Sequence, residues 1–77
     1  MIDDRLRAVM SVVFGVPLDQ INQDSDAESV ENWDSLGHLN LMIALENEFG
    51  IEFTPEEFAN LTQFALVKEI VKEKLDS

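Results

Sequence analysis

Trp33-Asp34-Ser35-Leu36-Gly37-His38-Leu39, running on through Asn40 to Phe49-Gly50, is the stretch whose reading decides this chain. A polar, acidic segment ends at Asp34, and an apolar pattern of helical spacing begins directly after it. Aspartate is a favoured N-cap type because its carboxylate accepts a backbone N–H from the first turn. Leu36, Leu39, Met42, Ile43, Leu45 and Phe49 then predict a helix over 35–49. Gly50 suits the left-handed position past its end, with Ile51 for the accompanying apolar contact. Ser35 stands at the first helical position. The first-turn N–H groups have no intrahelical partner and the helix dipole is positive there, so an anion borne by Ser35 meets a prepared site. A plain capping role is the commoner one for a serine at a helix start, and spacing does not separate the two.

The apolar positions of this helix span roughly 200°, more than one packed face requires. Met42, Leu45 and Phe49 are expected in the core. Leu39 is expected to point inward, with Leu36 and Ile43 partly exposed as a docking strip edged by Glu46.

Working outward, Ile2, Leu6, Val9 and Val13, with Met10 and Phe14 beside them, predict a first helix over 3–14. Gly15 and Pro17 stop it. The connection over 15–34 is long for so small a chain and should be functional or partly structured. Leu18, Ile21 and Val30 are spaced to pin it to a core, and Trp33 is either a lid on that core or an exposed aromatic. Downstream, Thr54-Pro55-Glu56-Glu57 combines an N-cap, a proline at the first helical position and a capping-box glutamate. It predicts one short helix. A last helix capped by Thr62 should run through Leu75, with Phe64, Val67, Ile70 or Val71, and Leu75 inward. The fold expected is all-α: a single domain over 1–77, a four-helix bundle with three longer helices, a short third one and a long loop between helices 1 and 2.

Composition narrows the function. Sixteen acids face five bases in 77 residues, a formal net charge of −11, and between Arg7 and Lys68 eleven acids stand with no Lys or Arg. Such a surface repels nucleic-acid phosphates and attracts basic protein patches. There is no cysteine, which excludes disulfides and thiolate metal sites. No apolar run approaches a membrane span, and Met1-Ile2-Asp3-Asp4 does not read as a signal peptide, so a cytoplasmic setting is expected.

Two chemistries compete for the central stretch. A catalytic serine needs a base and a group that orients it. His38 is the single histidine, and it reads better as a surface residue that a partner contacts. An EF-hand over Asp24, Asp26 and Glu28 fails where glycine and a bidentate glutamate are required, because Ser29 and Ser35 stand there. No metal site is expected.

Asp34-Ser35-Leu36, Leu39, Ile43-Ala44-Leu45-Glu46, Glu48-Phe49-Gly50-Ile51 and Phe53-Thr54-Pro55-Glu56-Glu57-Phe58 together resemble the acyl carrier proteins. The similarity covers about two thirds of the chain well and the first helix more loosely. It implies that Ser35 bears a covalent 4′-phosphopantetheine arm from coenzyme A, and that Asp34 helps a phosphopantetheinyl transferase recognise the site. The chain would be a carrier, not an enzyme, and its missing thiol would arrive with the arm. The resemblance further implies acyl-loading and biosynthetic enzymes with basic docking patches as partners, met through Leu36, Ile43, Glu46, Glu48, Glu56 and Glu57. An acyl-chain pocket is expected among Leu39, Met42, Ile43, Phe53 and Leu61, and the protein is expected to be a monomer. Gly37, Asn40 and Asn47 depart from the acidic residues frequent in fatty-acid carriers. They favour a free-standing carrier for polyketide or modified lipid assembly, or for aminoacyl loading. An unmodified acidic interaction module, with Ser35 a mere cap, is the other class left open.

Overall fold

Four helices form in the computed structural model, which describes residues 2–76. Helix α1 spans Ile2–Phe14, α2 Ser35–Phe49, α3 Pro55–Asn60 and α4 Phe64–Asp76. Among the described residues there is no strand, only an isolated antiparallel bridge between Asp26 and Gln63. The all-α architecture, with a short third helix and a long first loop, is the one expected.

Helix α1 packs against both α2 and α4. Its innermost line is Leu6, Met10 and Phe14, one per turn and nearly sealed from solvent. Ile2, Val9 and Val13, expected to lead that face, flank it half-buried. Helix α2 contributes Leu41, Met42, Leu45 and Phe49, and α4 contributes Phe64, Val67 and Val71. Leu75 was expected inward but is 44% exposed, one turn past the last buried residue of its helix.

The face of α2 differs from expectation in an instructive way. Leu39 is 42% exposed, while Leu41 is fully buried. The buried set is His38, Leu41, Met42, Leu45 and Phe49, a regular helical stripe whose first member is a histidine. Following apolar residues alone starts the stripe at Leu39, one residue too late. Leu36, Leu39 and Ile43 form the opposite, outward stripe.

The long loop is held by side chains. The Arg7 guanidinium donates to the carbonyls of Ile21 and Leu18 at 2.9 and 2.8 Å. Val16, Ile21, Val30 and Trp33 are buried, but Leu18, in a short 3-10 turn, is not. Ala27 N–H donates to Thr62 O and Phe64 N–H to Ser25 O, both at 2.9 Å. These bonds lace the loop to the α3–α4 link and hold residues 62–63 extended. The last helix therefore starts at Phe64, one residue later than the expected Thr62 cap would set it.

Candidate attachment site at the start of helix α2

The start of α2 is built by a cap and a close approach. Asp34 Oδ1 accepts the Gly37 N–H at 2.8 Å, and Asp34 O accepts the His38 N–H at 2.7 Å. Neither bond uses the N–H groups of Ser35 and Leu36. The loop backbone at Asn32 runs directly over this turn: a Cβ at Gly37 would overlap the Asn32 carbonyl oxygen. Asn32 is itself in the left-handed region, φ 72°, and its side-chain amide donates to Phe14 O at 2.7 Å. Glycine is therefore required at 37 by packing, which gives a local cause for the missing acidic side chain.

Ser35 is exposed. The other serines within residues 4–71 are engaged. Ser11 Oγ donates to Val16 O at 2.6 Å. Ser25 is 5% exposed, and its Oγ accepts the Asn22 N–H. Ser29 Oγ accepts from Asp26 N–H and donates to Asp26 O. The Asp26 carboxylate also belongs to that turn, accepting from Glu28 and Ser29 N–H, and the Ser29 bonds above all hold it below the usual aspartate value.

His38 is not the surface residue expected. It is 9% exposed and tied at both nitrogens. The Trp33 indole N–H donates to Nδ1 at 3.0 Å, so the ring proton sits on Nε2, which donates to Phe58 O at 2.6 Å. Trp33, 3% exposed, stacks on Phe14 at 5.2 Å, and the Phe58 ring meets His38 edge-on at 4.8 Å. His38 thus links the loop, α2 and α3, and neither nitrogen is left to act as a base for Ser35. Its signal in the sequence was its place on the 38-41-42-45-49 stripe. Beside Ser35 lies a groove of about 300 Å³ lined by Ala27, Trp33, Asp34, His38 and Thr62. Ala27 and Thr62 come together through loop pairing that no local pattern reveals.

The expected docking residues lie in different situations. Leu36 and Ile43 are 67% and 48% exposed. Glu46 Oε2 accepts the Phe53 N–H at 2.9 Å, and Glu48 pairs with Arg5 at 3.1 Å. Glu57 closes the capping box with Thr54 and pairs with Lys74 at 2.9 Å. The Thr54 N–H first, then Lys74, holds its carboxyl below the usual glutamate value. Glu56 is exposed on α3. Of the expected pocket residues, Met42 and Leu61 are buried, Phe53 is half-buried and Leu39 faces outward. Leu61 lines a cavity of about 500 Å³ between α3 and α4 with Leu66 and Ile70, and Leu39, Met42 and Phe53 do not line it.

Comparison with known proteins places this geometry. The family described as "Phosphopantetheine attachment site" matches residues 4–71. An acyl carrier protein of Buchnera aphidicola subsp. Baizongia pistaciae is 32% identical over 71 residues, covering 92% of this chain and 91% of that protein. The solution structure of holo acyl carrier protein from Geobacter metallireducens matches with a TM-score of 0.86 at 28% identity, over 96% of this chain and 85% of that one. An exposed serine with two first-turn N–H groups beside it fits a phosphodiester, and the group this family carries is covalent phosphopantetheine. The chain belongs to the acyl carrier proteins, phosphopantetheine-bearing carriers rather than catalysts.

Proposed function

We propose that Ser35 is the residue that bears the 4′-phosphopantetheine arm, added from coenzyme A by a phosphopantetheinyl transferase. One observation carries the assignment: within the matched residues, Ser35 is the exposed serine whose hydroxyl makes no hydrogen bond among the described residues, and it opens a 15-residue helix. Asp34 shapes the turn that presents it and is the neighbour for a transferase to recognise. The chain has no cysteine, so the thiol that carries cargo as a thioester is that of the arm.

In this reading the loaded arm moves acyl intermediates between cytoplasmic enzymes of fatty-acid, polyketide or related specialised lipid assembly, and the protein works as a monomer. Basic patches on those enzymes meet the outward stripe Leu36, Leu39 and Ile43 together with Glu56, while Glu46, Glu48 and Glu57 add charge from positions fixed by their internal bonds. Association steered this way slows as salt rises. An acyl chain sheltered near Met42, Phe53 and Leu61 requires those side chains to part, with Leu39 at the outer edge. Asn40 and Asn47, both exposed on α2, leave that helix less acidic and favour a specialised pathway or aminoacyl loading over general fatty-acid synthesis.

Incubation with coenzyme A and a broad-range phosphopantetheinyl transferase, followed by intact-mass measurement, tests the assignment. One adduct is expected on the wild type and none on Ser35→Ala. An adduct that survives Ser35→Ala moves the site elsewhere; a bare wild type leaves only the interaction-module reading.

A further inference from the structure

We propose that the cavity between α3 and α4 is a second docking site, one that takes a basic amphipathic helix of a partner protein. The site does not depend on which residue bears the arm. Its floor is apolar: Leu61 is buried at the base, Ile70 is half-buried and Leu66 is 40% exposed beside them. Helical periodicity sets Leu66 on the side of α4 away from its packed residues Phe64, Val67 and Val71, with Ile70 at the edge between the two sides. The cavity measures about 500 Å³, room for the apolar anchors that an amphipathic helix presents at i, i+3 and i+4 spacing.

Charge selects the occupant. Glu56 on α3 and Glu69 and Glu73 on α4 line the rim, all three exposed, and among the described residues none of them is in an ion pair. Glu57 lines it too, but its charge is met by Lys74 at 2.9 Å, and Lys74 also lies over the Phe53 ring at 5.8 Å. Among the described residues no Lys or Arg lines the cavity. Apolar carbon is thus framed by carboxylates that lack a counter-charge. Glu69 and Glu73 stand one turn apart, about 6 Å of rise along α4, the interval at which a partner helix repeats its own side chains. A helix with an apolar ridge flanked by Lys or Arg complements both features. An acidic segment meets these carboxylates with like charge, and so does a second copy of this chain, whose formal net charge is −11. Leu66, Glu69 and Glu73 belong neither to the outward stripe of α2 nor to the groove at Ser35, and only Glu56 and Glu57 are common to this site and the surface proposed above. A partner held here leaves the start of α2 open to a second enzyme.

The test titrates the full unmodified chain with a model peptide of about 15 residues, made of Leu and Lys with the leucines at i, i+3, i+4 and i+7 spacing, by calorimetry and by amide chemical-shift mapping. Shifts are expected at Leu61, Leu66, Glu69, Ile70 and Glu73. Removing two rim charges together, Glu69→Gln with Glu73→Gln, should weaken binding about tenfold, and Leu66→Ser about fivefold. The same change in net charge on the loop, Glu28→Gln with Glu31→Gln, should weaken it less than about twofold. All of these positions are exposed, and a thermal melt verifies the fold of each variant. The charge pair and Leu66→Ser test the site separately, so one stands if the other does not fold. Equal weakening by the rim pair and the loop pair reduces the contact to bulk attraction and overturns the site. Shifts at Leu36, Leu39 and Ile43 instead, binding unchanged by Leu66→Ser, or no binding at all overturns it too. Each of these failures leaves the attachment assignment at Ser35 standing, and a chain that takes up no arm leaves this site standing.

Discussion

Gly37→Ala sets local propensity against packing, and the two predict opposite signs. In a helix, alanine is favoured over glycine by about 0.5–1 kcal/mol, so the sequence alone predicts a modest gain. The structure reverses this. A Cβ at 37 would overlap the Asn32 carbonyl oxygen and lie 3.1 Å from its carbon and 3.3 Å from Asp34 Oδ1. None of these atoms can swing aside freely. Asn32 contributes backbone anchored through its side-chain bond to Phe14 O, and Asp34 Oδ1 is the acceptor that caps the helix. Forcing extra carbon into packed structure costs about 1–3 kcal/mol. At mid-range, about 2 kcal/mol of overpacking against about 0.75 kcal/mol of propensity, the net loss is about 1 kcal/mol, a fall in melting temperature of about 4–8 °C for a chain of this size. Urea unfolding followed by circular dichroism measures it, with Asn40→Ala as the control. That residue is exposed on the same helix, and its substitution should stabilise by about 0.5 kcal/mol. A Gly37→Ala protein as stable as the wild type, beside a control that behaves, would refute the close approach of the loop.

His38→Ala should cost about 2–3 kcal/mol, because it leaves the buried Trp33 N–H without its acceptor and removes the donor to Phe58 O; a denaturant midpoint unchanged from wild type rules out the bridging role. Leu41→Ala should cost about 2–5 kcal/mol, and Leu39→Ala about 0.5 or less; equal losses in parallel melts would mean that the stripe on α2 is misplaced. For Glu57, a folded value held below the unfolded one contributes stability that is present above the unfolded value and lost as pH falls through the folded one. The gap in urea midpoint between wild type and Glu57→Gln should therefore be full at neutral pH and close below about pH 4.5; a gap that widens on acidification reverses the sign and defeats the assignment.

Helix boundaries were legible where side chains act locally. Asp34, Gly50 and the Thr54–Glu57 box satisfy backbone groups within a turn of themselves, so α2 and α3 fall where the sequence puts them. Readings that depend on distant partners did not carry over. Thr62 is a good cap by type, yet its carbonyl is bonded to Ala27 across the fold. Leu39 and Leu41 are alike in propensity, and only the identity of the opposing surface decides which is buried. His38 looks polar in a sequence and is buried because Trp33 and Phe58 supply complementary groups. At the site, the serine and its cap were readable. The glycine requirement at 37 and the groove wall at Ala27 and Thr62 were not, since both arise from a loop folded onto a helix it precedes.

Helix α3 has no buried residue of its own. It is moored by the His38 bond to Phe58 O, the Glu57–Lys74 pair and the Phe58 ring edge, with Leu61 as an anchor just past its end. Detachment of this segment breaks a few polar and ring contacts and uncovers Phe58 and Leu61, a smaller cost than global unfolding. Alone among the four helices it buries no residue, so it is the element expected to open first while α1, α2 and α4 stay packed.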